Sequence, residues 1–170
     1  VNPSRGLGDV YKRQTQFILD DMDADNMVAA PMSWYSGWSY KSSDRGLVVE
    51  FGAAYCADGM NAVDWALANV PVDIKTIGIM GFAGDYGGDY AAGVKAAAAA
   101  NGLNVAWEYV VPSPEFDVAQ AVGLMVTQPV DAYFPAIGPT QMAQVAGGAF
   151  QQGLTPVSYT HLRAHETDSH

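Results

Sequence analysis

A glycine-rich segment at residues 81–88 carries the polar side chains best placed for chemistry in this sequence, Asp85 and Tyr86 at its tip. An apolar run at residues 76–80 precedes it and is long enough for one strand buried on both faces. Residues 89–101 then predict a helix, with five consecutive alanines and an Asn-Gly stop. With the strand-like run after it, this is a βαβ unit, and ligands of such sheets bind beyond the carboxyl ends of the strands. We therefore expect the function of the chain at residues 81–88.

Both ends of the chain are predicted to be non-native peptide. Residues 4–14 and 157–166 are encoded by opposite strands, in shifted frames, of one DNA sequence that resembles a transposon adaptor used in making sequencing libraries. Motif matches are hypotheses, but two peptides from one oligonucleotide are not expected by chance. We expect residues 1–14 and 157–170 to be adaptor-derived and to lack packing against the core at 73–154.

Composition excludes several classes of function once the ends are set aside. All three histidines lie in the C-terminal tail, so none remains for catalysis or metal binding. Four Lys/Arg and fifteen Asp/Glu remain between residues 15 and 156, a net charge of −11. This acidity disfavours nucleic acid, because phosphate binding needs clustered Lys and Arg. The single cysteine, Cys56, excludes an internal disulfide and a CxxC site, and no run approaches the roughly 18 apolar residues of a membrane span.

The first part of the chain predicts a helix end, two short strands and a helix, at residues 15–25, 27–30, 47–51 and 59–68. The helix is expected to bury Met60, Val63, Trp65 and either Ala66 or Leu67. The loop at 32–45 holds four aromatic residues within seven positions, Trp34, Tyr35, Trp38 and Tyr40. Two interpretations of this cluster stay open, a local mini-core over the sheet and a ligand-facing wall, since binding pockets favour aromatic side chains.

A break at residues 69–72 predicts a hinge between two lobes. Beyond it, strands and helices alternate, with strands at 76–80, 105–111 and 130–134 and helices at 89–101, 118–127 and 140–152. Asp117 is the expected N-cap of the second of these helices, and residues 135–139 the loop before the third. Alternation of this kind predicts an α/β fold with a parallel sheet. We expect residues 15–70 to be the remnant of a first lobe, with its own small sheet, and residues 71–156 to be a partial second lobe.

A set of ordered motifs runs through residues 73–154: D-Y-G, G, F-D, V-D-A, a small-residue loop and G-L, at residues 85–87, 102, 116–117, 130–132, 136–139 and 153–154. In this order and spacing they resemble the solute-binding proteins of ABC importers, in the branched-chain amino-acid (Leu/Ile/Val) group of the type I periplasmic-binding-protein fold. Residues 26–68 resemble, more loosely, the last first-lobe segment of that family before the crossover. The resemblance implies two lobes with Rossmann-like parallel sheets, of which this chain is an incomplete part.

The resemblance implies capture of an amino acid or similar small polar solute by lobe closure, without making or breaking a bond, so the chain is expected not to be an enzyme and to need no cofactor or metal. It further implies a periplasmic or extracellular location, a signal peptide in the missing N-terminus, and an ABC permease as partner. Carried over by position, the ligand-binding residues are Tyr86, Ser33, Trp34, Tyr55 and Gly138. Tyr55 is expected just before a helix on the cleft side, and Gly138 stands where some members have a tyrosine.

Other interpretations stay open at this point. Tyr86 could instead be a capping residue packed on its own helix, and Ser33 an ordinary loop hydroxyl. The chain could be a ligand-sensing domain of a receptor or regulator with the same fold. A Rossmann-type nucleotide-dependent enzyme would use the glycines of 81–88 on phosphate, but their spacing is not GxGxxG, and Asp85 and Asp89 would repel a pyrophosphate.

Overall fold

A three-stranded parallel sheet forms the centre of the computed structural model, which describes residues 19–28, 30, 34–38 and 52–154. Its strands are β1 (Thr76–Phe82), β2 (Asn104–Val111) and β3 (Ala132–Ala136), in the order β2-β1-β3. The prediction of three parallel strands in one sheet is therefore confirmed. Both chain ends and the strand predicted at 47–51 lie outside the described residues, so what was expected of them stays a prediction.

Two layers of helices enclose the sheet. The helices are α1 (Leu19–Ala24), α2 (Tyr55–Asn69), α3 (Gly87–Ala100), α4 (Val118–Thr127) and α5 (Pro139–Gln151), with short 3₁₀ turns at Ser36–Trp38 and Ser113–Glu115. α2 and α3 bury one face of the sheet, around Ile77, Ile79 and Phe134. α4 and α5 bury the other, around Met80, Trp107 and Tyr133. Strand side chains alternate between faces, which is why neighbours in β1 and β3 divide between the two cores.

The connections between the strands change direction at β1. The chain passes from β1 to β2 through α3 on one face, then crosses back to β3 through α4 on the opposite face. A reversal of direction with a change of face is what two right-handed crossovers require. The loops after β1 and β3 therefore lie side by side at a topological switch point, where ligands of open α/β sheets bind.

Helices α2 and α3 cross in close contact, with backbone against backbone. A Cβ added at Gly93 would lie 1.9 Å from the carbonyl oxygen of Cys56. Further along the helix, α2 buries Val63 and Ala66, as predicted. The prediction is wrong for Met60 and Trp65, which are 37% and 50% exposed. The helix begins four residues earlier than expected, and its buried side follows positions 55, 59, 63 and 66.

The division of the chain at residue 70 stays a prediction. Helix α2 precedes that point, yet its buried residues Val63 and Ala66 share one core with β1, β3 and α3. By packing, α2 therefore belongs with the sheet that comes after it in the chain.

The prediction of a strand at residues 27–30 is wrong for Met27, Val28 and Ala30, which are in no strand. Helix α1 ends there instead. Asn26 takes the left-handed backbone conformation, with φ 53°, and the Met27 N–H donates to the Met22 carbonyl at 2.8 Å. This hydrogen-bond pattern is typical of a helix C-terminal cap, so the backbone here ends a helix and does not enter a strand.

The two loops at the carboxyl edge are shorter than predicted. β1 continues through Gly81 and Phe82, which pair with Val110 and Val111 of β2, and α3 begins at Gly87. The glycine-rich loop is thus reduced to residues 83–86. β3 likewise continues through Pro135 and Ala136, which leaves a loop of residues 137–138. Proline is accommodated because β3 is an edge strand of the described sheet.

Helix termini of the second half follow the sequence closely. Asp117 caps α4 as predicted, accepting from the Ala119 N–H at 2.8 Å and from the Gln120 N–H at 3.4 Å. Gly102 and Gly153 take positive φ after α3 and α5. Among the described residues, no helix has both the length and the apolar character needed to cross a bilayer.

Candidate functional site

The loops after β1 and β3 meet at the carboxyl edge of the sheet. A Cβ added at Gly81 would lie 3.3 Å from the Ala136 carbonyl oxygen, and one added at Gly138 would lie 3.5 Å from Cε2 of Phe82. The two predicted site positions of this half, Tyr86 and Gly138, therefore follow strands that are in direct contact. The structure brings both to the switch point where a ligand is expected.

Tyr86 is half-buried at the N-cap position of α3. Its side chain makes no capping hydrogen bond, so capping does not explain why a tyrosine stands here. The ring packs edge-on against Tyr55 of the neighbouring helix, with centroids 4.9 Å apart. Burial, and secondarily the charge of Asp58, raises the pKa of the Tyr86 hydroxyl. The group therefore stays a neutral hydrogen-bonding hydroxyl across the physiological pH range.

Tyr55 is the first residue of α2 and lies between two other aromatic rings. It packs edge-on against Trp34, at 5.7 Å and 83° between ring planes, and against Tyr86 on its other side. Only 6% of its surface is exposed. Burial, followed by the charge of Asp85, raises the pKa of Tyr55 to about 12. Tyr55 was expected just before the helix and is instead inside it, where it supports the two rings that flank it.

Trp34, Tyr55 and Tyr86 together form a continuous line of packed rings, termed the aromatic row. Edge-to-face pairs of this kind contribute about 0.5–1.5 kcal/mol each beyond the area they bury. Trp34 is also held through its backbone, because its carbonyl accepts from the Tyr55 N–H at 2.7 Å. Both interpretations of the loop aromatics retain support at Trp34, which packs on the core and remains partly exposed. Ser33, the remaining predicted site residue, lies outside the described residues.

Asp89 is the functional candidate that sequence reasoning missed. It is buried in the first turn of α3 and accepts from the Ser36 N–H at 2.9 Å, from the Ser36 hydroxyl, and from the Cys56 N–H at 3.0 Å. The sequence suggested only that this carboxylate would repel phosphate. The signal available was an acid at a helix N-terminus beside small residues, which does not reveal partners 33 and 53 residues away.

Phe82 was also missed, because the loop was expected to begin at Gly81. In the longer strand it lies two positions after Met80 and so is on the α4–α5 side of the sheet. It packs edge-on against Phe116, at 5.5 Å, and lies next to Gly138. At Gly138, where some members of the resembling family have a tyrosine, Phe82 and Gln141 are the neighbours that can supply a contact.

No cationic side chain stands at this edge in the part of the chain that the structure describes. Its two lysines lie elsewhere: Lys75 precedes β1, at the opposite edge, and Lys95 pairs with Glu108 at 2.9 Å. Of the described residues, the acids Asp58, Asp85 and Asp89 are the charged groups near the aromatic row. An acidic edge is unfavourable for a pyrophosphate. Gly87, moreover, is packed against β1, since a Cβ there would lie 2.4 Å from the Phe82 carbonyl oxygen.

Asp131, in the V-D-A motif, has a structural role at the opposite edge. Its carboxylate accepts from the Lys75 N–H, the Thr76 N–H and the Thr76 hydroxyl, at 2.9, 2.8 and 2.9 Å. These hydrogen bonds hold the pKa of Asp131 below its ordinary value of 3.8. The motif thus joins the beginnings of β1 and β3 and takes no part in the candidate site.

An open groove of about 780 Å³ lies between α4 and α5, lined by Val122, Val126 and Gly148 among others. It belongs to the outer helix layer and includes none of the predicted site residues. Among the described residues, no group of three or more His, Cys, Asp or Glu side chains is placed to hold a metal ion.

This chain resembles several solved structures. No family model matches this sequence, and no curated protein matches it. A fatty acid ABC transporter substrate-binding protein from Thermomonospora curvata superposes with a TM-score of 0.75 at 26% identity, over 86% of this chain and 36% of that one. A branched-chain amino acid ABC transporter protein from Thermus thermophilus with bound valine gives 0.73 at 11% identity, over 91% and 38%.

A solute-binding protein of an ABC transporter from Rhodopseudomonas palustris BisB5, in complex with 3,4-dihydroxybenzoic acid, gives a TM-score of 0.55 at 22% identity, over 67% of this chain and 31% of that one. The chain thus spans about a third of the length of these structures, 31–38%. Its structural neighbours include an ABC-transporter substrate-binding protein, an extracellular ligand-binding receptor and two branched-chain amino acid ABC-transporter proteins, and the chain has their α/β fold.

Proposed function

We propose that this chain is part of an extracytoplasmic solute-binding protein of an ABC importer, which captures an amino acid or a similar small polar solute between two lobes. The observation that carries the proposal is that the loops of Tyr86 and Gly138 follow two paired strands at the switch point of the sheet. The likeness to substrate-binding proteins supports it independently. The permease partner, the periplasmic location and the signal peptide belong to the same proposal.

The aromatic row supplies the chemistry of the proposed site. Aromatic rings bury the apolar part of a small solute, and the neutral Tyr86 hydroxyl can donate or accept one hydrogen bond. A ligand carboxylate finds no cationic side chain at this edge among the described residues. Among the described residues, backbone amides are the groups that can satisfy it, so this part of the site is suited to the apolar or cationic end of the solute. No bond is made or broken, and the protein acts by binding alone.

Lobe closure follows from the position of the site at one edge of the sheet. A ligand at this edge is open to solvent on the side away from the strands, and a second lobe closing over it removes that solvent. Residues 33–34 and Tyr55 are proposed to reach the same cleft. The row is then one wall of the cleft, and the opposing lobe of a protein at the full length of its relatives supplies the other wall.

Calorimetry tests the proposal on this chain and on a protein that carries it at the full length of its relatives. The panel contains amino acids including valine, their amides, a fatty acid and small carboxylates including 3,4-dihydroxybenzoate. We expect heat of binding with at least one compound. Absence of binding with every compound at full length would contradict the proposed function.

Tyr86→Ala tests the position of the site. We expect it to weaken binding by about 1–3 kcal/mol, the scale of a lost buried hydrogen bond together with lost aromatic contact. Asp131→Asn serves as the matched control, because Asp131 lies at the opposite edge of the same sheet. Binding that is indifferent to Tyr86→Ala would place the ligand elsewhere.

A further inference from the structure

The Asp89 carboxylate holds together three segments that are distant in sequence. It lies on α3, accepts twice from Ser36 in the 34–38 segment, and accepts once from Cys56 in α2. A buried carboxylate is costly unless several donors satisfy it, and hydrogen bonds to a charged group are roughly twice as strong as neutral ones. Two of its three donors come from one residue, Ser36.

Two helix N-termini meet at this carboxylate. Asp89 lies in the first turn of α3, and the Cys56 N–H belongs to the first turn of α2. Ala54, at the N-cap of α2, provides no side-chain hydrogen bond. Asp89 therefore supplies from another helix the acceptor that an N-cap side chain would give, and the dipoles of both helices favour its negative charge.

The same contacts determine where Trp34 lies. Its carbonyl accepts from the Tyr55 N–H, and two residues later Ser36 is bound to Asp89. The 34–38 segment is thus attached to the first turn of α2 at one point and to α3 at another. With both points held, the Trp34 ring packs edge-on against Tyr55, which in turn packs against Tyr86.

We propose that Asp89 is a positioning residue of the ligand site: through Ser36 it fixes the 34–38 segment on the N-terminal ends of α2 and α3 and so builds the aromatic row. The inference rests on the proposed function, in which that row contacts the solute. Residues 34–38 precede the predicted division at residue 70 and Asp89 follows it, so the contact joins parts of the chain on either side of that point. A ligand that needs the assembled row binds more weakly, in proportion, when the row is less populated.

Hydrogen exchange without any ligand tests the contact itself. Asp89→Asn replaces an acceptor with an amide that cannot accept from all three donors, and Ser36→Ala removes one donor while leaving the Asp89–Cys56 bond in place. We expect either change to speed exchange at residues 34–38 and at the Tyr55 N–H by about tenfold or more. Asp117→Asn is the matched control, since it alters a carboxylate that caps α4 on the other face of the sheet.

Calorimetry with the tightest-binding compound of the calorimetric panel tests the consequence. Ser36→Ala is expected to raise the Kd by about tenfold, as loss of a hydrogen bond to a charged acceptor predicts. Ser36→Thr keeps the hydroxyl and is expected to restore affinity to within about twofold of the original. Asp117→Asn is expected to leave the Kd unchanged.

The two experiments separate this inference from the proposed function. Selective loss of protection at 34–38, with weaker binding that Ser36→Thr rescues, supports it. Unchanged protection in Ser36→Ala, or equal loss throughout the chain in Asp89→Asn and Asp117→Asn, overturns it whether or not any compound binds. Failure of the original chain and of its full-length form to bind any compound contradicts the proposed function and leaves the exchange result to decide the role of Asp89.

Discussion

Gly93 provides a direct test of the packing that carries the aromatic row. Gly93→Ala would place a Cβ 1.9 Å from the Cys56 carbonyl oxygen and 2.7 Å from the carbonyl carbon. Ordinary contact begins near 3.4 Å, so α2 and α3 must separate by about 1.5 Å, because backbone atoms cannot rotate away. Overpacking typically costs about 1–3 kcal/mol and occasionally more. We expect a loss near the top of that range, about 3 kcal/mol, since separation also opens the contacts of Val63 and Val94.

Urea unfolding followed by circular dichroism measures this loss, as a lower midpoint at an unchanged slope. Gly147→Ala is the matched control: it lies in α5, and a Cβ there would have nothing within 4 Å. Alanine is the better helix former by about 0.5–1 kcal/mol, so this change is expected to stabilise the protein. Equal or greater stability of Gly93→Ala would refute the close crossing of α2 and α3.

Three further predictions concern groups with perturbed pKa values or capping roles. Asp131→Asn is expected to lower the free energy of unfolding at neutral pH. The folded pKa of Asp131 lies below 3.8, so its stabilisation is complete above that value and is lost as pH falls through the lowered pKa. If the free energies of unfolding of the original protein and of Asp131→Asn differed by the same amount down to pH about 2, this prediction would be wrong. The pKa of Tyr55 is raised from 10.0 to about 12, so stability is expected to fall as pH rises above 10.0, and Tyr55→Phe to reduce that slope; an unchanged slope in urea titrations at alkaline pH would argue against it. Asp117→Ala is expected to cost about 1 kcal/mol by thermal unfolding, and no loss would mean that its cap bonds do not form.

The sequence predicts the second half of the described chain well because each of its elements carries its own local signals. Asp117 and Gly102 start or stop helices through hydrogen bonds and backbone conformations that act within a few residues. The apolar run at residues 76–80 predicts the buried strand that contains Ile77 and Ile79. Such signals determine the order of helices and strands, and their alternation predicts the parallel sheet.

Boundaries and partners depend on contacts that the local sequence does not contain. Gly81 and Pro135 suggest loops by residue type, but pairing with neighbouring strands keeps both in the sheet. Trp65 appears apolar enough for a core, yet the crossing at Gly93 turns another side of α2 inward. The Ser36–Asp89 contact spans 53 residues and has no counterpart in any periodic pattern. Tertiary packing therefore determines those features. The glycine-rich loop and the resemblance both indicated Tyr86 as a candidate, whereas Gly138 came from the resemblance alone.

The ligand site is proposed to lie at the carboxyl edge of the sheet. Amide chemical shifts, recorded while the tightest-binding panel compound is added, test this position most directly, because both edges of one sheet are observed together. We predict that the largest changes fall at residues 83–88 and 137–138, with residues 73–75 and Asp131 at the opposite edge unmoved. Changes concentrated at that opposite edge, or along the groove between α4 and α5, would contradict the proposed position of the ligand site.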